Sequence, residues 1–278
     1  MQNGLKRKGL NLAKLIKRAY YLDQFEEVVV WGPRGWGKSC YAVQVAAEVY
    51  GSHEDPDWEA VKDIIVFKPI EFIMKLVEAY EHGIRYKCLI WDDAGVWLNS
   101  KDWQKPLLKQ FDKLNDVART FAGGIIYTTP VLGKLVKAVR EDEHLLGVKI
   151  IKVTGNPYQW YRRKAVVYRH WHLPSFIKGR PRKLFEDEFD ALMPDDFFKW
   201  YQKKRNQYAG IALKEFVKAL IEEYASTLDE LDILSSLRTI VRKDPDLSSV
   251  SAGQGSRKPL FDISHVVLND EGGDEHGP

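Results

Sequence analysis

Gly32-Pro33-Arg34-Gly35-Trp36-Gly37-Lys38-Ser39 fits the pattern G-x-x-x-x-G-K-[ST] at every fixed position. A strand pattern over residues 27–31 leads into it, and a helical pattern from Lys38, stopped by Gly51, leads out. Strand, glycine-rich loop, helix is the order that phosphate binding requires. Glycines without Cβ let successive backbone N–H groups converge on one phosphate, and the positive end of the following helix adds its partial charge. Lys38 is expected to neutralise the outer phosphates, and Ser39 to offer its hydroxyl to Mg²⁺. The stretch predicts a nucleotide site made by Gly32, Pro33, Arg34, Gly35, Trp36, Gly37, Lys38, Ser39 and Cys40.

Beyond this loop, apolar runs of strand length recur at 64–67, 88–91 and 124–127, with helical patterns between them. Pro69 stands where a first helical turn tolerates it, ahead of Phe72, Ile73, Leu76, Val77 and Tyr80, and Gly83 stops that helix. A further helix is expected over 107–120. Such alternation implies right-handed crossovers and a parallel sheet with helices on both faces. Beyond Pro130 the pattern changes: 132–140 reads as helical, and 148–153 and 165–171, separated by Gly155-Asn156-Pro157, read as a β-hairpin at one edge of the sheet.

The metal that Ser39 would bind needs a carboxylate at the tip of a neighbouring strand. Leu89-Ile90-Trp91-Asp92-Asp93 supplies one, so Asp92 is assigned to the outer shell of Mg²⁺. Asp93 follows where many hydrolytic relatives of this architecture carry Glu to polarise the attacking water. One methylene shorter, it can still orient a water, which predicts slow hydrolysis or completion by a partner. Thr128 and Thr129 end the fourth strand, beside the outer phosphate in such a sheet; either hydroxyl, Thr129 ahead of Thr128, is a candidate to sense that phosphate or hold the water, or else to bond local backbone.

Hydrophobic residues make up 45% of the chain and charged ones 29%, the balance of a globular protein. No apolar run approaches the ~20 residues of a membrane span, and residues 1–8 lack the apolar core of a secretion signal, so a cytoplasmic protein is expected. Cys40 and Cys88 read as packing residues. Leu12, Leu15, Ile16, Ala19 and Leu22 share one helical face, opposite Lys14, Lys17 and Arg18. The expected organisation is a basic amphipathic helix at 1–24, an α/β core at 25–190, a helical appendage at 191–242, and a Ser-, Gly- and acid-rich tail at 243–278.

The net charge is +3, but its distribution is uneven. From His144 to Phe185 there is no acidic residue, while Lys149, Lys152, Arg162, Arg163, Lys164, Arg169, Lys178, Arg180, Arg182 and Lys183 are interleaved with Trp160, Tyr161, Tyr168, Trp171 and Phe176. Cations with stacking surfaces suit a DNA contact that ignores sequence, so 144–185 is the expected DNA-binding region. Glu186, Asp187, Glu188 and Asp190 follow at once and offer the alternative that the strip is neutralised within the fold or against a neighbouring subunit.

Taken together, the Gly32–Ser39 loop, Asp92-Asp93 and Ile125-Ile126-Tyr127-Thr128-Thr129-Pro130, with the stretch 192–205, resemble the DnaA-like, AAA-type P-loop ATPases of crenarchaeal spindle-shaped viruses and plasmids. The resemblance implies an ATP- and Mg²⁺-dependent enzyme of the additional-strand (ASCE) class, acting in replication or maintenance of a mobile element as an initiator or helicase loader. It also implies a homo-oligomer in which an arginine of one subunit reaches the outer phosphate of the next. Arg140 fits that place best and Arg119 second. No helix-turn-helix and no lid with an evident second arginine is legible after the core. A DNA translocase or packaging motor, and a nucleotide switch that hardly hydrolyses ATP, are the alternatives.

Overall fold

The run Glu-Glu-Val-Val-Val-Trp forms β1 (Glu26–Trp31), in which five successive residues are buried. A strand buried on both faces belongs in the middle of a parallel sheet. It pairs in parallel with β4 (Gly124–Thr129) on one side and β5 (Leu146–Lys152) on the other. β4 is buried along its whole length. Beyond it lie β3 (Leu89–Trp91) and the short β2 (Ile65–Val66), both parallel. On the opposite side β6 (Arg162–Arg169) and β7 (Arg182–Asp190) continue the sheet in antiparallel register. The order is β2-β3-β4-β1-β5-β6-β7. The computed structural model describes residues 9–102, 111, 113–114, 117–140, 145–153, 160–169 and 181–224.

The edge hairpin expected from the sequence is present as β5–β6, and its Gly155-Asn156-Pro157 turn lies outside the described residues. β7 was not anticipated. Arg-Lys-Leu-Phe-Glu-Asp-Glu-Phe-Asp carries few strand formers, but it is the outermost described strand of the sheet, where charge discourages pairing with foreign strands.

Helices cover both faces. α2 (Lys38–Tyr50) is buried on nearly every side, with Ala42, Ala46 and Ala47 small enough for close approach. Its two inward polar side chains are satisfied: Gln44 donates to the carbonyls of Asp190 and Leu192 at 2.6 and 2.8 Å, and Glu48 accepts the Leu10 N–H at 2.8 Å. On the other face, Phe72 of α4 (Pro69–His82) meets Trp91 at a ring distance of 4.9 Å. α3 (Trp58–Ile64), capped by Asp57, precedes β2; the sequence pattern indicated no helix there.

α1 (Asn11–Tyr21) packs Leu12, Ala13, Ile16 and Ala19 into the core. Leu22 departs from expectation and is 53% exposed, because the helix ends before it. The N-terminus of α1 is closed from β7: the buried Asp187 accepts the Asn11 and Leu12 N–H groups at 2.8 and 3.1 Å and the Tyr41 hydroxyl at 2.7 Å. α4 buries a narrower stripe than predicted, Phe72, Leu76 and Ala79, leaving Val77 and Tyr80 exposed. The helix predicted over 132–140 is broken into a 3₁₀ turn, Leu132–Lys134, and the short α5 (Lys137–Arg140), since Leu135 is extended and bridges Asn99.

α6 (Asp195–Tyr224) opens with Asp195 and Asp196, favourable at a helix N-terminus. Chain contacts divide the protein into Met1–Ile211 and Ala212–Pro278, a boundary that falls inside α6. The rest of the helical appendage predicted over 191–242 and the tail lie outside the described residues, as does half of the helix predicted over 107–120, whose described end is a 3₁₀ turn, Ala118–Thr120.

Candidate active site

The phosphate loop follows β1, and its backbone explains its glycines at one position above all. Gly37 has φ +91°, and a Cβ there would stand 2.9 Å from Cβ of Ala191, too close for any side chain. Lys38 opens α2; its buried ammonium donates to the Pro33 carbonyl at 3.1 Å. The Cys40 thiol is directed at the carbonyl of Leu192, 3.2 Å away, and with Gln44 it fastens the start of α2 to residues 190–192. Arg34 is exposed at the loop's tip.

Asp92, fully buried, leaves β3 facing α2. Its Oδ1 accepts the Thr128 hydroxyl at 2.6 Å, and the same Thr128 oxygen accepts the Asp93 N–H at 2.8 Å. Thr128 thus fixes the two aspartates. Its neighbour Thr129 donates to the Val131 carbonyl at 3.2 Å and lies against Gly95, where an added Cβ would meet its hydroxyl at 2.4 Å. Asp93 adopts the left-handed region, φ +50°, uncommon outside glycine, and opens a 3₁₀ turn at Ala94–Val96.

Two residues that sequence reasoning missed complete the site, both from α6. Tyr201 donates to Asp92 Oδ2 at 2.5 Å, and its hydroxyl lies near the Ser39 side chain. The phenol thus stands between the two residues expected to hold Mg²⁺. A hydroxyl and a carboxylate meeting at one point, with phosphate oxygens and waters for the rest, is a donor set that suits Mg²⁺. The other residue is Arg205, whose guanidinium stands 3.4 Å from Asp93 Oδ2. One turn separates Tyr201 from Arg205, so both lie on one face of α6.

The electrostatics follow from burial and these charges. Burial and then the Asp92 charge raise the pKa of Asp93, while Arg205 and Lys38 pull it back. Burial lowers that of Lys38, with Asp93 and Asp92 opposing and Arg205 and Arg34 assisting. Burial works against the charge of Arg205, but Tyr201, Asp93 and Asp92 together outweigh it and raise its pKa. Tyr201 is pushed well up, first by burial and then by Asp92, so it acts as a neutral donor.

The basic strip is partly neutralised inside the fold. Lys164 pairs with Glu188 at 3.2 Å and Glu186 at 3.8 Å, Arg162 with Glu188 at 3.4 Å, Arg169 with Glu26 at 3.4 Å, and Lys183 with Glu186. Arg163, on β6, is buried. Lys149, Lys152, Arg182 and Trp160 are exposed, and Tyr161 packs edge-on against Trp160. Lys178, Arg180, Trp171 and Phe176 lie outside the described residues. Arg140 is half-buried in α5, and Arg119 sits before β4, at the end of the sheet away from the phosphate loop.

Because β4 lies between the loop-bearing β1 and the aspartate-bearing β3, as the resemblance implied, the chain is a P-loop ATPase of the additional-strand class. The sequence holds no guanine-reading Asn-Lys-x-Asp. It belongs to the family of protein B-251 of Sulfolobus spindle-shape virus 1, itself uncharacterized, with 31% identity over 219 residues, 75% of this chain and 85% of that protein. Protein ORF286 of Acidianus two-tailed virus is 27% identical over 183 residues, 65% of this chain and 54% of its own length. No family model matches the chain. Among solved structures, the genome packaging NTPase B204 of Sulfolobus turreted icosahedral virus 2, in complex with ATP-gammaS, covers 58% of this chain and 94% of its own at 16% identity and a TM-score of 0.34. A KaiC-like protein of Pyrococcus horikoshii covers 59% and 89% at 11% identity and a TM-score of 0.36. Likenesses this distant carry no functional argument. Among the described residues no helix is long and apolar enough to cross a membrane.

Proposed function

We propose that the protein is a Mg²⁺-dependent ATPase that moves double-stranded DNA for an archaeal virus, a translocase of the packaging kind. The relatives of this chain are viral, which supports the setting. The observation that carries the reading is the extension of the parallel sheet past β1 by β5 and the antiparallel β6 and β7, which places the exposed Lys149 and Lys152 of β5, and Trp160 just ahead of β6, at the phosphate-loop end of the sheet. Cations and an aromatic on a strand extension suit a nucleic-acid backbone held without base reading.

In this reading Lys38 and the loop N–H groups hold the phosphates, and Ser39 and Asp92 hold the metal, which when bound stabilises charge on the transferred phosphoryl group. Thr128 keeps Asp92 and Asp93 in register, and Asp93 as carboxylate orients the attacking water. Arg205 is the nearer candidate to stabilise the outer phosphate, and Arg140 the candidate to do so from a neighbouring subunit of a homo-oligomer.

One observation favours the initiator or helicase-loader reading: α6, an appended helix, reaches the site with an arginine, as a lid would. Displacement of a protein roadblock from a linear duplex separates the two. A translocase removes the roadblock when ATP is hydrolysed; a loader leaves it in place while still hydrolysing ATP.

A further inference from the structure

Lys152 and Arg163 stand directly opposite one another on β5 and β6. Like charges facing across two strands repel, and Arg163 is only 5% exposed, so its charge must be met by hydrogen bonds. Both cations converge on one residue of the phosphate loop. Arg163 Nε donates to the Trp36 carbonyl at 3.2 Å, and its Nη1 donates to the carbonyls of Trp160 at 2.5 Å and Arg162 at 2.8 Å. The Lys152 ammonium lies 5.5 Å from the centroid of the Trp36 ring.

The carbonyl that Arg163 holds belongs to the Trp36–Gly37 peptide. In a planar trans peptide the C=O and N–H point in opposite directions. With the oxygen fixed towards β6, the Gly37 N–H is directed away from β6. Gly37 leaves no room for a side chain here, since an added Cβ would stand 2.9 Å from Cβ of Ala191. Freed from Arg163, the plane can turn and bring a carbonyl dipole towards the phosphates.

We propose that Arg163 is a positioning residue of the ATPase site: it sets the Trp36–Gly37 peptide so that the Gly37 N–H is presented to the nucleotide phosphates, and it joins that setting to the loop end of the β5–β6 hairpin through Trp160 and Arg162. This role rests on the ATPase reading of the site and does not depend on DNA. It gives a buried arginine in the basic strip a task other than contact with nucleic acid.

The test uses the full chain with Arg163→Gln and Arg163→Lys, titrated with fluorescent ATP and AMP analogues without DNA. Loss of one oriented donor to the outer phosphates, together with the turned carbonyl, weakens ATP binding about ten- to hundredfold. AMP, which lacks those phosphates, keeps its affinity. Arg163→Lys, which keeps the charge but reaches fewer carbonyls, falls between wild type and Arg163→Gln. Wild-type ATP affinity in Arg163→Gln, or equal losses for ATP and AMP, overturns the proposal. Should Arg163→Gln fail to fold, Arg163→Lys alone carries the same two outcomes. Failure of wild type itself to bind ATP would instead overturn the ATPase reading.

Discussion

The phenol of Tyr201 donates to Asp92 Oδ2 at 2.5 Å and lies near the Ser39 side chain, so a helix from outside the core stands between the two predicted metal-holding residues. With Asp92 holding the metal as proposed, metal and phenol would compete for its carboxylate. Tyr201→Phe is therefore expected to lower the Mg²⁺ concentration needed for half-maximal ATP binding. It should also destabilise the nucleotide-free protein by about 1–3 kcal/mol, the worth of a buried hydrogen bond to a charged group. A Mg²⁺ titration and a denaturant melt check both. An unchanged Mg²⁺ requirement would mean that the phenol supports Asp92 without competing.

In the proposed mechanism Asp93 sets the pH dependence. Its folded pKa is raised above the ordinary 3.8 by burial and by Asp92, so the folded state holds this proton more tightly than the unfolded one. Its contribution to stability is accordingly full below the ordinary value and is lost as pH rises through the raised one. Activity runs the other way, since only the carboxylate orients a water. Turnover is expected to show an acid limb above the ordinary aspartate range, and Asp93→Asn to abolish the limb and reduce kcat by about 10²–10⁴ with ATP binding kept. A pH profile of both proteins decides this.

Arg205 opposes that shift and does so more strongly than Lys38. Arg205→Gln is expected to move the acid limb of kcat to higher pH. If Arg205 also stabilises the outer phosphate, kcat falls at every pH; if it only pairs with Asp93, the limb moves and the plateau stays. Steady-state kinetics across pH separates the two.

Asp187 closes α1 from the far edge of the sheet through three accepted hydrogen bonds. Asp187→Ala leaves two helix N–H groups and a buried phenol without this acceptor, and is expected to cost about 2–3 kcal/mol in a chemical melt. ATP affinity of the folded variant should stay near wild type, because none of these atoms touches the phosphate loop.

The central sheet and phosphate loop were legible because each is written locally: apolar runs of strand length, and a loop whose glycines and Lys38 sit at fixed spacing. β7 was not, since an edge strand rich in Glu, Asp and Lys carries the period of a strand without its usual residues. α4 was legible as a helix, but its exposed Val77 and Tyr80 were not, because apolar residues at helical spacing do not say how wide the covered stripe is. Tyr201 and Arg205 lie 109 and 112 positions from their partners Asp92 and Asp93, and no spacing rule spans such a distance. Their helix was legible, and so was their placement one turn apart; that this face meets the aspartates is a fact of packing alone.

Phosphate release from Mg²⁺-ATP, measured with and without linear duplex DNA over a salt series, bears on the site and on its coupling to DNA at once. Slow basal release that Lys38→Ala abolishes is expected, with a rise when duplex is added and a DNA effect that falls steeply with salt as phosphate contacts are screened. Release that is abolished by Lys38→Ala yet indifferent to duplex at every salt concentration would contradict a DNA-moving ATPase.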